Sequence, residues 1–196
     1  ALGFFCLAFG LTANARYFGI GLLPAVLALI AVIELQAKQS LKETLRLEVL
    51  VLTGSLGVFY LVSPYLWAFD WASIWSGLTF VTNLPGIGDG ELFFGKLIAP
   101  RELPYYLAVW IGITTPLFYL VLALIGACGS LREWVKSRSL TKLPRETIFD
   151  LFCLALFLVY YALIVISKAT IYHGWRHAYF LYAPMLVLIA SGLAKI

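Results

Sequence analysis

"FDLFCLALFLVYYALIVIS", residues 149–167, carries a single charge, Asp150, near its start. A helix needs about 20 mostly apolar residues to cross a hydrocarbon core about 30 Å thick, and this run has that length. It lacks the strict alternation of a half-buried strand. A soluble helix this apolar all round would have to be wrapped on every side. The stretch therefore reads as a membrane span, and the rest of the chain repeats it. Further apolar blocks run over 1–12, 17–34, 49–68, 104–127 and 177–194. The 196-residue chain is 62% hydrophobic and 12% charged, whereas soluble domains carry about a quarter charged residues. The expected fold is all-α: a polytopic transmembrane helix bundle of roughly six segments, forming one transmembrane domain over 1–196. The opening "ALGFFCLAFG" has no initiator Met, basic n-region or cleavage signal. It reads as the middle of a hydrophobic helix, and the chain as part of a longer protein.

Direction follows from the connections. Segment 130–148 holds Arg132, Lys136, Arg138, Lys142 and Arg145, and 36–48 holds Lys38, Lys42 and Arg46. Short loops rich in Lys and Arg stay in the cytoplasm, and these two lie two spans apart, so they agree. The protein is thus expected in the bacterial inner membrane or the eukaryotic endoplasmic reticulum membrane. The turn 12–17, the loop 69–103 and the cluster 168–177 then fall on the extracytoplasmic side. Basic residues between spans also explain the net charge of +4 without a nucleic-acid partner; the partner read here is membrane lipid.

The long loop 69–103 opens on "DWASIWSGLTFVTN". Asp70 is suited to an N-cap, and Trp71, Ile74, Trp75 and Leu78 share one helical face. This predicts an interfacial helix with its tryptophans at headgroup depth. Gly86, Gly88, Gly90 and Gly95 then allow tight turns. No strand precedes them, and the spacing fits no phosphate-binding fingerprint. Asp89 and Glu91 are candidate contacts for a sugar, an acceptor or a cation, or else solvated loop carboxylates. Pro104 is placed to start the next helix. Cys6, Cys128 and Cys153 fit no metal motif and read as packing residues.

The second unusual stretch is "TIYHGWRHAYFLYAPM", residues 170–185. It gathers His173, Arg176 and His177 just after Lys168, between two apolar runs. These cations, with Arg16 and Arg101, lie on the side where the positive-inside rule disfavours them. Each Arg alone can snorkel to headgroups. Together they suggest an anionic ligand, because the guanidinium fork makes paired bonds to phosphate. His173 and His177 stand four apart and would share a helix face. No third ligand accompanies them and Arg176 would repel a cation, so no metal site is read. They are hydrogen-bond donors to a phosphate or sugar hydroxyl, or interface residents.

"YHGWRHAYFLYAPMLVLIASGL" resembles a segment of GT-C class membrane glycosyltransferases, written Tyr-Asp-Gly-x-Arg-His-x-x-Phe and followed by Pro and an apolar helix. The similarity is to glycosyltransferase family 39-like proteins, the dolichyl-phosphate-mannose protein mannosyltransferase group. "LAFGLTANARYFGIGLLPAVL" resembles their Gly-rich helix end with a basic residue. "LFFGKLIAPRELPYYLAVWIGITTPLFYLVLALIG" resembles their outer loop ending in Leu-Pro-x-Tyr and a Thr-Pro helix.

The resemblance implies a polyprenyl-phosphate sugar donor and inverting transfer to a protein, lipid or glycan hydroxyl on the extracytoplasmic face. It implies no cofactor, and leaves a divalent cation open. The catalytic base is unassigned, since the family's acid belongs to a first outer loop upstream of this sequence. Lipid-phosphate contacts fall to Arg176, His177 and Arg16, with Lys168 and His173. Candidate sugar or acceptor contacts are Tyr172, Asp89, Glu91 and Arg101. His173 departs from the family pattern, which often has Asp there. A transporter or flippase for an anionic lipid or solute would use the same cations; in a non-catalytic membrane subunit they would be structural only.

Overall fold

Helix ends in this chain follow their capping residues more closely than its hydropathy. The computed structural model describes residues 2–15, 17–68, 71–72, 75–76, 90–99, 102–169, 171 and 174–196. They fall into two units, Ala1–Val81 and Thr82–Ile196. Among the described residues, five helices are long and apolar enough to cross a membrane: Gly19–Gln36, Leu41–Val62, Leu117–Ser137, Arg145–Ile166 and Arg176–Ala194. The sixth expected segment is helix α1 (Leu2–Ala15), apolar but, as described, only about 21 Å long.

In the first unit, α1 leads through a 3-10 turn (Tyr17–Gly21) into α2 (Leu22–Gln36) and then α3 (Leu41–Val62). The block expected from residue 49 begins at Leu41 instead, because Ser40 and Glu43 form a capping box. Ser40 Oγ accepts from the Glu43 N–H at 3.3 Å, and the Glu43 carboxylate accepts from the Ser40 N–H at 3.2 Å. Two orphan donors are thereby satisfied. Lys42 and Arg46, expected in a loop over 36–48, ride on the first turns of α3. Phe9 and Ala13 of α1, Leu23 of α2, and Val51 and Phe59 of α3 form the core. Ser63 Oγ donates to Asn14 Oδ1 at 2.8 Å, joining the ends of α1 and α3. Of the predicted interfacial helix, residues 71–72 and 75–76 are helical with Trp71 and Trp75 exposed. Asp70, Ile74 and Leu78 lie outside the described residues.

In the second unit, part of the segment expected as loop is an antiparallel hairpin, β1 (Glu91–Phe93) with β2 (Lys96–Ile98). Its turn residues Phe94 (φ 48°) and Gly95 (φ 77°) are both left-handed. That pair matches the twist of a two-residue hairpin turn, and glycine adopts it without strain. Helix α4 (Tyr106–Thr114) starts two residues after Pro104, and α5 (Leu117–Ser137) follows. The single span expected over 104–127 is therefore two helices. Pro116 has no N–H for the ladder and forces Thr115 into an extended conformation (φ −94°, ψ 129°). Helix α5 continues to Ser137, carrying Arg132 and Lys136 out of the loop expected over 130–148. It ends where Arg138 turns left-handed (φ 54°). Helix α6 (Arg145–Ile166) and, after a 3-10 turn (Arg176–Leu181), helix α7 (Tyr182–Ala194) complete the unit.

Lipid supplies no hydrophobic drive between helices, so close backbone approach and polar contacts hold them together. The seam of α5 and α7 uses both. Gly126 lies against the Leu188 carbonyl and Gly192 against the Leu122 carbonyl, so closely that a methyl group at either would overlap backbone. One turn on, the buried Asp150 of α6 is enclosed. Its Oδ2 accepts from Ser130 Oγ of α5 at 2.8 Å, from Ser191 Oγ of α7, and from Lys195 Nζ at 3.3 Å. Lys195 Nζ also donates to Ser130 Oγ at 2.6 Å. The outward faces are apolar and exposed, as at Val121, Leu124 and Val135 on α5 and Leu158, Val159 and Ile166 on α6. Apolar area this extensive is rare on soluble monomers and suits contact with lipid.

Candidate functional site

The turn between α6 and α7 is built from a helix stop. Helix α6 closes with Lys168 N–H donating to Val165 O at 3.3 Å and Ala169 N–H to Ile164 O at 3.1 Å. This is a Schellman pairing, which requires a left-handed residue; Lys168 fills that place with φ 50°. Its exposed side chain borders a shallow cleft of about 180 Å³ that Glu102, Pro104, Tyr106 and Ile164 also line.

The chain then turns at Gly174, with φ 75° and Trp110 packed where a side chain would project. Two hydrogen bonds fasten this turn to α4. The Gly174 N–H donates to Tyr106 Oη at 3.2 Å, and Trp175 Nε1 donates to Thr114 Oγ1 at 2.8 Å. Tyr106 Oη in turn donates to the Glu91 carboxylate on β1. The Tyr106 ring is fully buried, 5.1 Å from the Phe93 ring. One tyrosine thus joins hairpin, helix and turn. Arg176 and His177 open the 3-10 turn immediately afterwards; Arg176 is exposed and His177 half-buried.

Of the residues expected to form a site, the structure brings Glu91, Lys168, Arg176 and His177 to the same end of the second unit. Arg16, Asp89, Arg101, Tyr172 and His173 lie outside the described residues. His177 lies in the 3-10 turn that begins at Arg176, after the left-handed Gly174; the helical face expected to join it to His173 involves a residue outside the described ones. Among the described residues, no group of three His, Cys, Asp or Glu side chains could hold a metal ion.

Tyr106 enters the sequence reading only as the last residue of the Leu-Pro-x-Tyr match, with no site role assigned to it. Not marked at all was a second cleft of about 360 Å³, lined by Thr114, Thr115, Trp175, Tyr179 and Tyr182. Trp175 is its buried wall, edge-to-face with Tyr179 at 5.0 Å and with Tyr182 at 5.9 Å. The Thr-Thr-Pro sequence within an apolar run was the available signal, since proline there must open the helix.

Tyr106→Phe keeps the ring and removes the link. We expect it to cost about 1–3 kcal/mol, the range for unpairing buried polar groups. Amide exchange at Gly174 and in the hairpin should quicken while that of α6 stays unchanged. Equal exchange in both proteins would reduce the hydroxyl to a spectator.

Comparison of the chain with protein-family models, curated proteins and solved structures finds no match.

Proposed function

We propose that the protein is a membrane glycosyltransferase moving a sugar from a polyprenyl-phosphate donor to a protein, lipid or glycan hydroxyl on the extracytoplasmic face. One observation carries this reading. The turn bearing Arg176 and His177 is held by Tyr106 and Thr114 rather than left loose, and its cations stand at the far end of α5 from Arg132 and Lys136. A fixed rim of cations on the predicted outer side suits a lipid phosphate.

In the transfer, the acceptor oxygen bonds to the anomeric carbon as the carbon–phosphate-oxygen bond breaks. The phosphate departs with the electron pair, and negative charge grows on it. Arg176 and Lys168 stabilise that charge, and His177 donates to a phosphate or sugar oxygen. The acceptor proton goes to a carboxylate base, which the family resemblance assigns to the first outer loop.

Loss of one preorganised donor to a developing anion slows turnover by about 10²–10³-fold. Arg176→Ala should show a loss of that order when the full-length protein, in nanodiscs, receives a radiolabelled polyprenyl-phosphate sugar. Arg176→Lys should retain part of the rate, and membrane insertion should be normal in both. Wild-type turnover in Arg176→Ala would make the residue an interface anchor.

A transporter or flippase for an anionic lipid or solute is the second reading, favoured by the Asp150–Lys195 pair. Asp150 lies near the start of the Arg145–Ile166 helix and Lys195 just past the Arg176–Ala194 helix, and ionisable residues on spans often mark transport paths. Movement of polyprenyl phosphate across vesicles holding the protein, with no sugar transferred, would select it.

A further inference from the structure

We infer that the cleft beside the α4–α5 break is a subsite for a single neutral sugar ring, with the Thr115 hydroxyl as its polar anchor. Thr114 and Thr115 are chain neighbours with opposite fates. Thr114 Oγ1 donates to Trp110 O at 2.6 Å and accepts from Trp175 Nε1 at 2.8 Å. Thr115 is only 5% exposed, and its Oγ1 has no hydrogen-bond partner. Buried hydroxyls are nearly always paired, and this one lines an open cleft.

The backbone around it is also irregular. Pro116 cannot donate to the Gly112 carbonyl, and the first turn of α5 has no side-chain cap. Non-helical backbone at membrane depth is tolerated where it lines a cavity. Thr115 lies seventeen residues before Arg132, roughly 26 Å of helix. With Arg132 at one boundary, the cleft opens near the other, where the headgroup of a lipid-linked substrate would lie.

The lining chooses among occupants. No charged side chain is among the described residues of the cleft, so a phosphate would sit there without a counter-charge, and Arg176 and Lys168 serve it better. A hydrocarbon tail would cover the aromatic rings but leave Thr115 unpaired. A sugar ring offers hydroxyls to Thr115 and an apolar C–H face to Trp175, Tyr179 and Tyr182. About 360 Å³ is at the small end of ligand pockets, enough for one ring. Assigning that ring to the donor rests on the transferase reading above; the cleft's preference for a sugar does not.

The test uses the full-length protein in nanodiscs and a set of methyl hexosides differing at one hydroxyl. Saturation-transfer NMR detects binding, and tryptophan fluorescence gives affinity. Thr115→Val, close in shape but without the hydroxyl, should weaken the best hexoside about ten-fold, the effect of one lost hydrogen bond. Thr115→Ser should restore most of it, and Tyr179→Leu should weaken every hexoside alike. Equal affinity in wild type and Thr115→Val overturns the anchor. Absence of saturation transfer at millimolar hexoside overturns the subsite. So does sugar-free polyprenyl phosphate giving the only fluorescence change, since the occupant is then the lipid chain. Thr115-dependent hexoside binding with no transfer activity removes the transferase reading and leaves the subsite standing.

Discussion

Lys195→Met should destabilise the second unit by about 3–5 kcal/mol, the cost of breaking a buried ion pair. The side chain of Asp150 is 8% exposed and that of Lys195 25%, which places the effect toward the lower end. Methionine keeps most of the aliphatic bulk but leaves a carboxylate whose remaining described partners are two serine hydroxyls. Asp150→Asn in the same protein should recover much of the loss, because the amide oxygen still accepts from Ser130 and Ser191 and carries no charge. The double-mutant cycle should therefore give a coupling of about 2 kcal/mol. Unfolding in mixed micelles of rising SDS fraction, followed by tryptophan fluorescence, measures all four proteins. Lys195→Met matching wild type would place the pair among exposed salt bridges, which contribute about 0–1 kcal/mol.

Gly126→Ala should be as damaging, for a steric reason. The new methyl meets the Leu188 carbonyl, part of a helix backbone that cannot rotate away as a side chain can. Helices α5 and α7 must separate, and the contacts on both sides of the seam are lost with them. Overpacking costs about 1–3 kcal/mol and occasionally more; backbone overlap puts this case at about 3 kcal/mol. Gly192→Ala meets the Leu122 carbonyl in the same way. Once one substitution has opened the seam, the second costs little, so the two should be far from additive. Gly57→Ala and Gly112→Ala are the controls. Beyond its own helix backbone and chain neighbours, neither added methyl meets an atom within 4 Å, and each should be neutral or stabilise its helix by up to about 1 kcal/mol. Uniform effects at all four glycines would show that helix propensity, not the seam, is being measured.

Apolar run length was enough to reveal helices long and apolar enough to cross a membrane, because that property is local. Boundaries were less legible where local chemistry overrode hydropathy. Ser40 and Glu43 start α3 within a polar stretch, and Pro116 divides an apolar one. The hairpin at 91–98 escaped notice because three-residue strands leave almost no periodic signal. Cations at 168–177 were visible as residues expected on an unfavourable side, but their fastening was not. Tyr106 lies 68 positions from Gly174, and nothing in either segment names the other. Asp150 and Lys195 pose the same difficulty: a charge at the edge of a span is evident, but its partner is settled by which faces meet. Thr115 stands out in the sequence only as the residue before Pro116; its buried, unpartnered hydroxyl depends on the break beside it.

Asp150 also imposes an order on biogenesis. Lys195 follows it by 45 positions, so α6 leaves the ribosome before its counter-charge exists. At about 5–20 residues per second, that interval is roughly 2–9 s. Ser130, already made on α5, is the first partner available. Helices α5 and α6 should therefore enter the bilayer as a hairpin, with α7 the last piece to close over the carboxylate. A ribosome stalled before Ser191 would hold a chain with that charge half-satisfied, and such a chain is a natural target for membrane quality control.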